Sequence, residues 1–229
     1  MIVWLASFPR SGNTYLRIAL NRMFGVRSSV AYDYDGVARR LGEDFVGVAA
    51  GAGDRDALRS SNAIDFINTH RQRDGAIKEV DRAICLVRDG RDALVSYARL
   101  ISEDEPGKFD QLLADMIQQP SSRGTGSWGA NVLSWLQPAR PERVVMRFED
   151  LVQMPTRVVQ EAMGAVAPSL APLEGAVVPD FDFLSSHDSG FFRRGISGSW
   201  RDEMPTKLHD LFWARPENQA AMQALGYIR

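Results

Sequence analysis

Apolar and polar positions fall in blocks along this chain, and the blocks change period. Residues 2–6, "IVWLA", are continuously apolar, as a strand buried on both faces requires. From Thr14 the apolar positions Leu16, Ile18, Ala19, Leu20 and Met23 recur at helical spacing, and the pattern stops near Gly25. Residues 63–67 predict a second strand running into "NTH", and residues 83–87 a third. "RDGRDALVSYARLI" (88–101) reads as a strand-to-helix turn and a helix. Residues 109–119 and 128–137 fit two more helices, and 143–147 a fourth strand. "MPTRVVQEAMGAV" (154–166) predicts a helix with Pro155 near its first turn, and 216–225 a last one. Residues 26–62 show no clear period. Their glycine-rich stretch "GVAAGAGDRDALRSS" (47–61) predicts a variable, mobile loop. Buried strands alternating with helices imply an α/β fold, three layers deep, around a mostly parallel sheet. Ligands of such sheets sit at the carboxyl ends of the strands. The informative loops are those after residues 7, 67, 87 and 192.

Composition narrows the class. The 229 residues suit a single domain spanning 1–229. Lys plus Arg number 27 against 29 Asp plus Glu, a net charge of -2. That balance argues against a nucleic-acid coat or a polybasic membrane binder, but leaves room for a local basic pocket. The single cysteine, Cys85, lies in the apolar run "AICLV" and reads as a small buried hydrophobe. With three histidines beside it, a structural zinc site is not expected. No stretch approaches the ~20 apolar residues of a membrane helix. The opening "MIVWLA" is short for a signal peptide and lacks a basic leader. A soluble, cytoplasmic protein is the expectation.

The segment "WLASFPRSGNTYLR" (4–17) joins the first strand to the first helix through a bare, basic loop. A glycine-containing turn at a helix N-terminus presents backbone N–H groups to an anion, and the helix dipole adds to the attraction. Ser11, Asn13 and Thr14 offer side-chain donors, and Arg10 a fixed charge. An ordinary turn capped by Asn13 or Thr14 remains open at this point. A Walker-type NTPase loop does not match. That pattern needs an early glycine, where Ser7 or Phe8 stands, and a lysine after the second glycine, where Asn13 stands.

Two further basic clusters follow. "LVRDGRDALVSY" puts Arg88 at a strand end and Ser96 in the early turns of a helix, and "FFRRGISGSW" puts Arg193, Arg194 and Gly195 in a loop. Each alone fits solvated surface arginines. Taken in order, "SFPRSGNTYLR", "VRDGRDALVSY", "MRFEDLVQMP" and "RRGISGSW" resemble the motifs of sulfotransferases that use 3′-phosphoadenosine 5′-phosphosulfate (PAPS). The resemblance touches residues 3–17, 67–72, 83–97, 128–155 and 191–203, about half the chain. It favours the bacterial-type branch, since the animal cytosolic branch has lysine where Arg10 stands.

This resemblance implies a P-loop NTPase-like sulfotransferase fold and PAPS as co-substrate without a metal. It implies that Arg10, Ser11, Gly12, Asn13 and Thr14 hold the 5′-phosphosulfate and that Tyr15 stacks on adenine. Arg88 and Ser96 would bind the 3′-phosphate, and Arg193, Arg194 and Gly195 would close on it. His70, in the family's "K-T-H" position, would be the general base, since a neutral imidazole accepts a proton near neutral pH. Arg10 would share in catalysis. One departure is Asn68, which stands where relatives carry a lysine. Arg10, Arg71 or Arg73 would then supply the missing charge.

The acceptor, a small molecule or larger scaffold with a hydroxyl or an amine, would be held by residues 32–60, 98–127 and 175–192. Tyr32, Tyr34, Phe181 and Phe183 suit an apolar acceptor, Asp33 and Asp35 a cationic or sugar-like one, and all of them equally suit packing and solvation. His187 and His209 read as surface or acceptor-loop residues. Two other readings stay open: a nucleotide or small-molecule kinase on the same fold, and a nucleotide-binding protein without catalysis.

Overall fold

In the computed structural model the first apolar run becomes β1 (Ile2–Ser7), and every residue of it is buried. Residues 1–229 are described apart from 33, 34, 52, 104, 120–123, 138, 228 and 229. From β1 the chain enters α1 (Asn13–Phe24), β2 (Ser28–Val30), α2 (Gly36–Leu41), α3 (Glu43–Val46) and α4 (Arg55–Ser60). It continues through β3 (Asp65–Thr69), β4 (Arg82–Val87), α5 (Gly90–Ile101), α6 (Phe109–Gln118) and α7 (Trp128–Leu136). After β5 (Arg143–Arg147) come α8 (Phe148–Gln153), α9 (Pro155–Val166), α10 (Phe181–His187), α11 (Trp200–Glu203), α12 (Thr206–Trp213) and α13 (Pro216–Ala224).

Among the described residues the five strands are parallel, in the order β2-β3-β1-β4-β5. Alternate residues of β1 feed opposite cores, as strand geometry dictates. Val3 and Leu5 pack with Leu16, Leu20, Val159 and Met163 of α1 and α9. Ile2, Trp4 and Ala6 pack with Ile67, Cys85 and Trp135 on the other face. Cys85 is buried, and its thiol is pushed up to about 12 by that burial, as an inert core residue requires.

Three expectations are corrected. The sheet has a fifth strand, β2, of only three residues, "SSV", which is held by pairing with β3. The 47–61 stretch is no plain loop: Asp54 accepts from the Asp56 amide and starts α4. The second strand also runs two residues later than the apolar pattern suggests, so Asn68 and Thr69 belong to it. β1 sits between β3 and β4, where the connections diverge to opposite sides. Parallel α/β sheets bind ligands at such a switch point. Ser7 is paired with Leu86 and Ala6 with Thr69, so the loops at Ser7, His70 and Arg88 open on one edge.

Candidate active site

Of the residues that the resemblance assigned to catalysis or to the nucleotide, all but Ser11 line one cavity of about 450 Å³ at that edge. Arg10 has a φ of 64° and Gly12 one of 99°, so the first loop turns through two left-handed residues. Gly12 is the N-cap of α1, with no side-chain cap bond, so neither Asn13 nor Thr14 caps. A Cβ at Gly12 would lie 2.5 Å from Phe148 Cδ2, so only glycine lets the loop settle on that ring. The Ser11 hydroxyl is buried with no partner, an unfilled valence that an oxyanion at the loop would satisfy.

The Asn13 side chain serves another purpose than the one anticipated. Its Nδ2 donates to the Leu5 carbonyl and to Ser7 Oγ, both at 3.1 Å. It braces the end of β1 and leaves only its backbone N–H for an anion.

His70 follows β3, half-buried. Its Nδ1 lies 2.9 Å from the Ser7 carbonyl and 3.2 Å from Ser7 Oγ. A carbonyl can only accept, so Nδ1 carries the hydrogen and Nε2 is the ring's free acceptor. Burial pushes the His70 pKa below the ordinary value; the Ser7 carbonyl opposes this, and the Arg17 and Arg10 charges add to it. Asn131 Nδ2 donates to the His70 carbonyl at 2.9 Å, and the Tyr32 hydroxyl accepts from the His70 amide. His70 is thus held from three sides, and its burial favours the neutral ring.

At the other end of the cavity, Arg88 is buried below the end of β4 and lies 4.2 Å over the Phe148 ring. Its Nη1 donates to the Arg10 carbonyl and its Nη2 to the Ile196 carbonyl, both at 3.1 Å. Arg88 therefore ties the first loop to the late loop. Arg10 Nε donates to Ser96 Oγ at 3.2 Å and Nη2 to the Phe191 carbonyl at 2.7 Å. The Arg10 guanidinium thus sits with the Arg88–Ser96 constellation. Burial first, then repulsion from Arg88, Arg40 and Arg193, lowers its pKa to about 10. Cations this crowded would be relieved by an anion placed among them.

Arg193 and Arg194 line the cavity but are engaged. Glu203 Oε1 accepts from Arg193 at 2.8 Å and from Arg194 at 3.1 Å, and Glu203 Oε2 accepts from Arg99 at 3.0 Å. Gly195 has a φ of 62°, and a Cβ there would meet Phe181 at 2.1 Å. Tyr15 lies on the cavity wall, and its hydroxyl donates to the Pro179 carbonyl at 3.2 Å.

Arg71 and Arg73 do not line the cavity, and neither does Asn68. Arg73 pairs with Glu79, and Arg71 lies over Tyr32, 5.5 Å from the ring centre. Asp35 is paired with buried Arg17 at 2.8 Å and caps α2, so it is not available to an acceptor. Phe181 lines the cavity, whereas Phe183 stacks on Phe45 outside it. Asp33 and Tyr34 lie outside the described residues. His187 Nε2 donates to the Leu41 carbonyl at 2.9 Å, and its ring stacks on Phe45; His209 stacks on Trp200.

Sequence reasoning missed Phe148, the ring on which Gly12 and Arg88 rest, although it stands inside the quoted "MRFEDLVQMP". It also missed Asp92, four residues before Ser96 and therefore on the same face of α5.

Residues 2–164 match the family model described as sulfotransferase domain. The chain belongs to this sulfotransferase family. Among curated relatives, WSCD family member CG9164 of Drosophila melanogaster is 26% identical over 164 residues, 69% of this chain and 48% of that protein. Sulfotransferase 1E1 of Cavia porcellus is 22% identical over 155 residues, 57% of this chain and 52% of that protein. The chain spans about half the length of the curated relatives it matches.

Among solved structures, mouse sulfotransferase SULT7A1 complexed with PAP superposes with a TM-score of 0.64 at 16% identity, covering 99% of this chain and 89% of that one. Retinol dehydratase in complex with androsterone and inactive cofactor PAP gives 0.62 at 14% identity, covering 97% and 80%. The sulfotransferase domain of the Synechococcus PCC 7002 olefin synthase gives 0.52 at 15%, covering 100% and 95%. At such identities the likeness is one of fold, and the fold is the P-loop-like sulfotransferase fold anticipated from the sequence. Among the described residues no helix is long and apolar enough to cross a membrane. None of their His, Cys, Asp and Glu side chains gather in threes to hold a metal ion.

Proposed function

We propose that this sulfotransferase-family chain moves the sulfuryl group of PAPS to a hydroxyl acceptor. One observation carries the reading. The cavity has two separate anion ends, the α1 N-terminal loop and the Arg88–Ser96–Arg10 cluster, with a neutral histidine on its wall. An ordinary nucleoside diphosphate needs the first end only. A nucleotide with an added 3′-phosphate needs both.

In this reading the backbone N–H groups of the first loop and the Ser11 hydroxyl hold the 5′-phosphosulfate. Arg88 and Ser96 take the 3′-phosphate bidentately and singly, as a planar guanidinium and a hydroxyl do. Tyr15, Phe148 and Phe181 offer flat faces for the base. His70 Nε2 takes the acceptor's proton as its oxygen bonds to sulfur. The bond from sulfur to the phosphate oxygen breaks in line, and PAP (3′-phosphoadenosine 5′-phosphate) leaves. Positioning and electrostatic stabilisation then do most of the catalytic work.

Calorimetric titration with PAP and with ADP, each with and without Mg²⁺, tests this. Metal-independent preference for PAP, lost in Arg88→Ala, is the expected result. Preference for ADP with Mg²⁺ would move the chain to the kinases. PAP binding without transfer in a screen of hydroxyl and amine acceptors with labelled PAPS would leave a binding protein.

A further inference from the structure

The carboxylate of Asp92 is fully buried in the first turn of α5, close to the cluster that the proposed function assigns to the 3′-phosphate. Coulomb's law alone makes this a poor place for a negative charge, since it would repel the phosphate. Its hydrogen bonds explain why it is there. Oδ2 accepts from the Gly198 amide at 2.6 Å, and Oδ1 accepts from Ser199 Oγ at 3.1 Å and the Trp200 amide at 2.9 Å. Three donors of the late loop converge on one side chain. Charge-assisted bonds of this kind, out of water, are the strong ones.

The loop so pinned is the one that matters for the second anion. Ile196, two residues before Gly198, gives its carbonyl to Arg88 Nη2. Gly195 and Arg194, just before it, line the cavity. Asp92 and Ser96 stand one helical turn apart on α5. One helix face therefore offers a hydroxyl to the cavity and a carboxylate to the loop that covers it.

We propose that Asp92 is the positioning residue that gives this cavity its preference for a nucleotide carrying a 3′-phosphate. It acts through the late loop and Arg88, and touches no substrate. The inference rests on the PAPS reading above and goes beyond it by naming what sets the selectivity.

The two physical effects predict opposite signs. If the charge of Asp92 mattered only through space, Asp92→Asn would tighten PAP. If it positions the loop, Asp92→Asn weakens PAP and leaves ADP alone, because ADP lacks the group the loop serves. The experiment is titration of the intact chain with PAP and ADP, for the parent, Asp92→Asn and Ser199→Ala, with thermal unfolding beside it. Expected is a fall in PAP affinity on the order of tenfold or more for Asp92→Asn, with ADP unchanged within about twofold. Ser199→Ala, which removes one of the three bonds, should lower the PAP-to-ADP ratio by a smaller factor. An unchanged ratio or tighter PAP in Asp92→Asn would overturn the proposal. Should Asp92→Asn unfold, an unchanged ratio in Ser199→Ala overturns it equally. A parent chain without preference for PAP would instead bring down the PAPS reading itself.

Discussion

The two ends of the cavity that the proposed function assigns to anions are built on opposite plans. The first loop is made of backbone. Its shape is set by two positive φ angles, a ring that excludes any Cβ at Gly12, and an asparagine spent on bracing β1. Its buried Ser11 hydroxyl has no partner. The other end, around Arg88 and Ser96, is made of long side chains, and those that the late loop adds are already occupied. Arg193 and Arg194 hold Glu203, and the loop hangs on Asp92. The first end is preformed and uncompensated. The second is assembled from charges that must be traded. This contrast suits a division of labour, in which the rigid end holds the reacting group and the adjustable end reads the identity of the nucleotide.

The sharpest way to break that division is at His70, beside the first end. His70→Ala should lower the turnover of labelled PAPS onto its acceptor by about 10²–10⁴-fold. Calorimetry should find PAP affinity little changed, because His70 reads no phosphate. An equal loss in binding would erase the distinction between the two ends. The pH profile sharpens the same point. Only neutral His70 can take a proton, and burial lowers its pKa. Activity should therefore persist below the ordinary histidine midpoint of about 6.5 and fall only as the pH drops through the lowered value. The sign is that of a base, lost on the acid side. An acid limb centred above 6.5 would contradict it.

Gly12→Ala attacks the preformed end directly. The new Cβ meets Phe148 at 2.5 Å, at a φ of 99° that alanine resists. Strain of this kind costs about 1–3 kcal/mol, so affinity should fall roughly ten- to a hundredfold. PAP and ADP should both suffer, since each brings a 5′-phosphate to this loop. That distinguishes it from a change in the late loop, which should touch PAP alone. Selective loss of PAP in Gly12→Ala would show that the two ends are one unit.

How much of this was legible in the sequence follows the same contrast. The first end is local. The apolar run, the bare loop and the periodic helix lie within residues 2–24, and their physics is that of neighbours. The arginines of the other end stood out as motifs, but their partners did not. Asp92 binds Gly198 across 106 positions, and Arg99 reaches Glu203 across 104, so no spacing reveals them. β2 stayed hidden because two serines and a valine carry no strand signal, and its burial comes from β3. The short helices α2 and α4 hid behind glycines, their starts marked only by the caps Asp35 and Asp54. Asn13 misled because a residue fit to bind an anion was needed more by the Leu5 carbonyl.

Glu203 offers the smallest and most instructive test. Asp92 and Glu203 are both acids beside the late loop, but they are spent differently. Asp92 takes backbone donors and shapes the loop. Glu203 takes the guanidinium groups themselves, at 2.8, 3.1 and 3.0 Å, and so stands where a phosphate oxygen would compete. Burial works against its charge, yet the bonds from Arg193, Arg99 and Arg194 hold its carboxyl below the usual range, so it is ionised at neutral pH. Glu203→Gln keeps the shape and removes the charge. PAP affinity should rise about two- to fivefold, the scale of a partly exposed ion pair, while ADP stays level. The gain should shrink in high salt, because the freed arginines are screened there. Weaker PAP binding would mean that Glu203, like Asp92, positions the loop, and the adjustable end would be as preformed as the first.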